Sequence, residues 1–122
     1  MDKGALTIHE AAEVTGWSAR MLRYIERIGL VSPARSASGY RLYGPAQLQR
    51  LRTLRELLSE HQLELGEVGF ALRLGREPGL AAAVLGWLDA PVERPADVPA
   101  ADWLAWEQEK HERLLGPAPV AA

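Results

Sequence analysis

Residues 6–43 read LTIHEAAEVTGWSARMLRYIERIGLVSPARSASGYRLY, and the order of start, stop and turn signals in this stretch decides the fold. Thr7 stands three residues before Glu10 and just ahead of Ile8, Ala11, Ala12 and Val14. That is the pattern of a capping box, in which hydroxyl and carboxylate satisfy two orphaned backbone donors at a helix start. Gly16 ends this helix and Ser18 caps a second one. In the second helix Leu22, Ile25 and Ile28 form the buried stripe, Arg20, Arg23 and Arg27 leave on the solvent side, and Gly29 supplies the left-handed terminus. Two short β-prone runs follow, around the turn Ser36-Ala37-Ser38-Gly39, and make a hairpin over 34–42. The spacing therefore predicts a mainly α fold, a winged helix-turn-helix whose small β-hairpin is the wing, with short helices after it.

Working outward, Gly44-Pro45 opens a third helix with proline where its missing N–H costs nothing. Leu48, Leu51, Leu54, Leu57 and Leu58 give that helix a buried face, with Arg50, Arg52 and Arg55 on other faces. A weaker fourth helix is expected from about Leu65 to Leu74. Trp17, in the turn between the first two helices, reads as inter-helix core.

The net charge of −2 is unusual for a nucleic-acid binder until it is divided by position. Residues 1–60 carry nine Lys/Arg against six Asp/Glu, and residues 61–122 carry five against ten. One end suits DNA, and the acidic end suits protein or solvent. Arg35, Tyr40 and Arg41 flank the hairpin turn as donors for phosphate oxygens or a narrow minor groove. Arg20, near the start of the second helix, is the candidate base reader, because the first turn of a recognition helix points into the groove. Ser18, Arg23, Tyr24 and Arg27 complete the candidate DNA-binding set.

Residues 6 to about 74 resemble the DNA-binding domain of the MerR family of bacterial transcription regulators. The resemblance is carried by Leu6-Thr7-Ile8, Leu22-Arg23-Tyr24, Glu26-Arg27-Ile28-Gly29-Leu30 and Ser38-Gly39-Tyr40-Arg41-Leu42-Tyr43, in the family's order. It implies a second helix (Ser18 to Ile28) docked in the major groove, the hairpin on the flanking backbone, and Arg23, Tyr24, Tyr40 and Arg41 on phosphates. It also implies dimers that untwist a promoter for RNA polymerase. Ile25 departs from the second aromatic many members carry, which removes a phosphate contact. Glu64, Gly66 and Gly69 replace a well-capped start of helix four and loosen it by roughly 1 kcal/mol per glycine.

A long C-terminal helix for a coiled coil is not possible here, because Glu77-Pro78-Gly79 interrupts it. Leu80 to Ala90 reads as a short helix apolar on nearly every side. Pro91, Pro95 and Pro99 define a linker, and Asp102 begins a last helix that Gly116-Pro117 ends. The expected organisation is a DNA-binding domain at 5–76, a helical region at 77–116 for dimerisation or partner binding, and a disordered tail at 117–122. Leu85, Trp87, Leu88, Trp103, Trp106 and Leu114 are the candidate interface, since each tryptophan buries about 150–250 Å² and tryptophans anchor interfaces. The alternatives are local core and a ligand pocket. The expected partners are double-stranded DNA, a second copy of the chain as a homodimer, and RNA polymerase or another protein, with no membrane. An excisionase-like DNA-bending factor and a protein-interaction adaptor stand as rival readings.

The chemistry of catalysis is absent. No cysteine is present, which removes disulfides, thiolate metal ligation and a cysteine nucleophile. The string His9-Glu10-Ala11-Ala12-Glu13 lacks the second histidine of a metalloprotease helix, and the Glu107 and His111 pair reads as a solvated helix face. The expectation is no enzyme, no metal, no cofactor, and a cytoplasmic, nucleoid-associated protein.

Overall fold

A computed structural model describes residues 4–63 and 67–115, excluding the side chains of 67–69 and 71. The elements are α1 (Ile8–Thr15), α2 (Ala19–Arg27), β1 (Ala34–Arg35), β2 (Arg41–Leu42), α3 (Pro45–Glu60), α4 (Glu67–Arg76), α5 (Pro78–Asp89), a 3-10 turn (Ala100–Asp102) and α6 (Trp103–Leu115). The two strands pair antiparallel, Ala34 opposite Leu42 and Arg35 opposite Arg41. No described helix is long and apolar enough to cross a membrane.

The local signals act as their chemistry requires. Thr7 Oγ1 accepts from the Glu10 N–H at 3.2 Å while the Glu10 carboxylate accepts from the Thr7 N–H at 2.9 Å. Ser18 Oγ accepts from the Met21 N–H at 3.1 Å. At the end of α2, Leu30 N–H donates to Ile25 C=O and Gly29 N–H to Glu26 C=O, both at 3.0 Å. This is a Schellman closure, and it needs the left-handed φ of +81° that Gly29 adopts without strain. Ile28, expected in the buried stripe, is exposed at 39%: it is the capping residue of α2, where the backbone has already left the helical path.

Leu6 and Tyr43 exchange backbone hydrogen bonds at 2.8 Å in both directions, strapping the start of the chain to the end of the wing. The core runs from Leu6, Trp17, Leu22 and Ile25 through Leu48, Leu51 and Leu54 of α3 to Phe70, Leu80, Val84 and Trp87. It is therefore continuous across the expected boundary at 76/77. α4 begins at Glu67 within the described residues. Glu64, Gly66 and the tail 117–122 lie outside them. Ile25 is almost fully buried and packs in the core.

The C-terminal helices are tied to α3 by its own arginines and glutamine. Arg50 donates to the C=O groups of Trp87 (2.6 Å), Ala90 (3.3 Å) and Leu88 (3.3 Å), satisfying carbonyls left open at the end of α5. The Gln49 amide pairs with both backbone groups of Glu93, holding the proline-rich linker down. Glu107 and His111, expected on a solvated face, are wholly buried against α3. Glu107 accepts from Arg52 Nε at 2.9 Å and Trp103 Nε1 at 3.2 Å, and His111 Nε2 donates to the Leu48 C=O at 2.7 Å. The opposite face of α6 carries the exposed charges Glu109, Glu112 and Arg113, so the helix is amphipathic with its polar groups on both sides.

Candidate nucleic-acid interface

α2 presents one face to the core and the other to solvent. Leu22 and Ile25 are buried, and Arg20, Arg23 and Arg27 are exposed one turn apart on the far side. The Ser18 cap fixes where the helix starts and so where Arg20 points. The Arg27 guanidinium lies 5.2 Å from the centre of the Tyr24 ring. Tyr24 itself is only 6% exposed. Its ring packs into the domain with the Arg27 guanidinium over its face.

The wing is closed by a compact set of bonds. Ser36 N–H donates to Tyr40 C=O at 2.9 Å, Tyr40 N–H to Ser36 Oγ at 3.0 Å, and Gly39 N–H to Ser36 C=O at 2.9 Å. Gly39 sits at φ +86°, which a side chain rarely tolerates. The turn leaves Tyr40 74% exposed at the tip, its hydroxyl available to a backbone oxygen of DNA.

Wing and helix are joined by one residue that the sequence reading left unassigned. Glu26 accepts from Arg41 Nε at 2.6 Å on one carboxylate oxygen and from Arg35 Nη2 at 2.7 Å on the other. The two arginines lie nine and fifteen positions later in the chain. The available signal was the acid itself, standing in the last turn of an otherwise basic helix. Beside this cluster the Tyr43 phenol is buried without a hydrogen-bond partner among the described residues. Burial pushes its pKa up, Glu26 adds to that, and Arg41, Arg35 and Arg23 oppose it.

The interface candidates divide. Trp87 belongs to the chain's own core: it donates Nε1–H to Thr53 Oγ1 at 2.8 Å, and Arg50 lies 4.1 Å over its ring. Leu88 packs partly buried against that core. Trp103 and Trp106 are half-buried on α6, the latter between Arg52 and Lys110. Leu85 and Leu114 are exposed at 61% and 40%. Trp17 is core as expected, with Arg55 4.3 Å over its ring. An open groove of about 820 Å³ is lined by Gly16, Trp17, Arg55, Leu58, Leu63 and Leu114 among others, and not by the other tryptophans. Among the described residues no group of His, Asp and Glu is placed to hold a metal ion.

A capped basic helix lying on a helical core, with a hairpin pinned beside it, defines a winged helix-turn-helix. Residues 6–73 match the family model described as MerR HTH family regulatory protein, and the chain belongs to that family. Over 51 residues it is 51% identical to the HTH-type transcriptional regulator HmrR of Sinorhizobium medicae, covering 41% of this chain and 35% of that protein. Over 51 residues it is 47% identical to heavy metal-dependent transcription regulator 2 of Rhizobium meliloti, again 41% of this chain and 35% of that protein. The chain thus spans about a third of the length of these relatives. Over 107 residues it is 31% identical to HspR of Streptomyces coelicolor, provisionally named a heat shock protein, covering 81% of this chain and 71% of that protein. No solved structure matches the chain.

Proposed function

We propose that this chain is a sequence-specific DNA-binding transcriptional regulator that places α2 in the major groove and the wing on the flanking backbone. The observation that carries the reading is the joint arrangement of α2 and the wing. Arg20, Arg23 and Arg27 line one exposed helix face, and Arg35, Tyr40 and Arg41 are held against the same helix through Glu26. Arg20 reads bases; Arg23, Arg41 and Tyr40 contact phosphates, and Arg35 the backbone or minor groove.

The chain works as a homodimer, with the exposed Leu85 and Leu114 and the half-buried Trp103 and Trp106 as its candidate contact residues. RNA polymerase or another protein is the further partner for the acidic end, whose Asp89, Glu93, Asp97 and Asp102 are exposed. The place of action is the cytoplasmic nucleoid. Three relatives are named for heavy-metal dependence; the residues of this chain include no cysteine, so none of them offers a thiolate to a metal.

The experiment is selection of bound duplexes from a random-sequence pool. A recurring inverted repeat supports both specificity and the paired arrangement. A single unrepeated motif keeps the regulator and removes the homodimer. A bound pool with no motif overturns the reading.

A further inference from the structure

Glu26 breaks the local rules of its own helix. It occupies the last turn of α2, where the aligned peptide dipoles already concentrate negative charge and favour a cation. It also sits among the exposed arginines of a face that is to meet polyanionic DNA, where a lone carboxylate repels phosphate. A local rule broken in this way marks a functional position more often than a structural one.

The geometry shows what offsets the misplacement. Each carboxylate oxygen takes a single guanidinium nitrogen, Nε of Arg41 at 2.6 Å and Nη2 of Arg35 at 2.7 Å. A guanidinium carries five N–H donors in a rigid fork, so one bond to Glu26 leaves both arginines able to donate elsewhere. The other hydrogen bond of Arg35 among the described residues is a long one, Nη1 to the Gly39 C=O at 3.4 Å. One carboxylate against two guanidiniums also leaves the cluster net positive.

We infer that Glu26 is a positioning residue for DNA binding, a bridge on the recognition helix that sets the two wing arginines side by side with their remaining N–H groups turned to the DNA backbone. This rests on the DNA-binding reading above. Glu26 touches the arginines and not the DNA. It fixes the distance between helix and wing, so that both engage one duplex in register, and it removes side-chain freedom that phosphate binding would otherwise have to remove.

The inference makes a prediction of sign. A carboxylate that merely lay near DNA would weaken binding, and Glu26→Gln would tighten it. A bridge predicts the reverse. The full chain and its variants are titrated onto the selected duplex, with thermal melting of each as a check on folding. Glu26→Gln should lower affinity about tenfold, the loss of one charge-assisted contact, although it makes the chain more positive. Glu26→Asp keeps the charge but is one methylene short of spanning both arginines, and should fall with it. In a chain carrying Arg35→Ala and Arg41→Ala, Glu26→Gln should no longer weaken binding.

Wild-type chain that binds no duplex would overturn the functional reading itself. Wild-type chain that binds, with Glu26→Gln equal or tighter, would overturn only this inference. So would Glu26→Asp matching wild type, or Glu26→Gln weakening both backgrounds alike.

Discussion

Arg52 of α3 donates its Nε–H to the Glu107 carboxylate of α6 at 2.9 Å, and Glu107 is wholly enclosed. Burial lowers the affinity of Arg52 for its proton, and the bonds and charges of Glu107 and Glu56 more than restore it, so the guanidinium stays charged. With the His111 bond to Leu48, this pair ties the last helix to α3. Removing Glu107 leaves the partly buried guanidinium with only the more exposed Glu56 as ion-pair partner among the described residues. Glu107→Gln should therefore destabilise the chain by about 3–5 kcal/mol. The double replacement Arg52→Met with Glu107→Leu should recover most of that loss. Chemical denaturation of the wild type and the two variants measures both, and a double variant as weak as the single one would contradict the account.

Stability should fall in mild acid, and His111 is the reason. Burial pushes its imidazole below the ordinary value, with the Leu48 carbonyl and Glu107 opposing and Arg52 and Arg55 adding to the shift. Its Nδ1 has no partner among the described residues. Protonation would create a buried N–H without a partner among the described residues. A folded pKa below the unfolded one means that the unfolded chain binds more protons. The stabilisation is thus complete above about pH 6.5, the unfolded imidazole value, and is lost as pH falls from there towards the lowered folded value. Melting temperatures between pH 7.5 and 5.5 should drop in the wild type and drop less in His111→Gln. Equal slopes would remove His111 from the explanation.

Trp87 joins the C-terminal region to α3 through Thr53 and Arg50, so the region past Glu77 is cover for the domain as well as an appendage. Trp87→Ala should cost about 3–5 kcal/mol. A chain ending at Glu77 should melt well below the full chain, because it uncovers α3 along the faces that α5 and α6 occupy. Calorimetry of both decides this, and a truncated chain of undiminished stability would show the two parts to be independent.

What the sequence showed plainly was whatever is encoded within a few residues. The Thr7 and Glu10 box, the Ser18 cap, the Gly29 closure and the Ser36 to Gly39 turn are all bonds between near neighbours in the chain, and each is where its residue types demand. The relation between α2 and the wing was less legible, since Glu26 reaches partners nine and fifteen residues away. Least legible was the packing of α6. Glu107 meets Arg52 across 55 positions, and His111 meets Leu48 across 63. A helix carrying charges on every face gives no periodic clue to which of them is inside. Trp87 was ambiguous for a related reason: a large aromatic in a tail signals burial but not whose surface does the burying.

Arg20 and Arg41 should fail in different ways. Arg20→Ala should cost about 1–3 kcal/mol on the preferred duplex and flatten discrimination between sequences. Arg41→Ala should weaken all duplexes alike, because it holds backbone and reads nothing. Competition titrations with point-altered duplexes separate the two. Uniform loss in both variants would show that Arg20 is not a base reader.

The central claim, that α2 and the wing grip phosphates despite a net charge of −2, is tested most directly by affinity for duplex DNA as a function of salt. Neutralising about four phosphates per chain predicts a log–log slope near −3.6 for the wild type, shallower by about one unit in Arg41→Ala. An affinity unchanged from low to physiological salt, or an Arg41→Ala slope equal to that of the wild type, would contradict it.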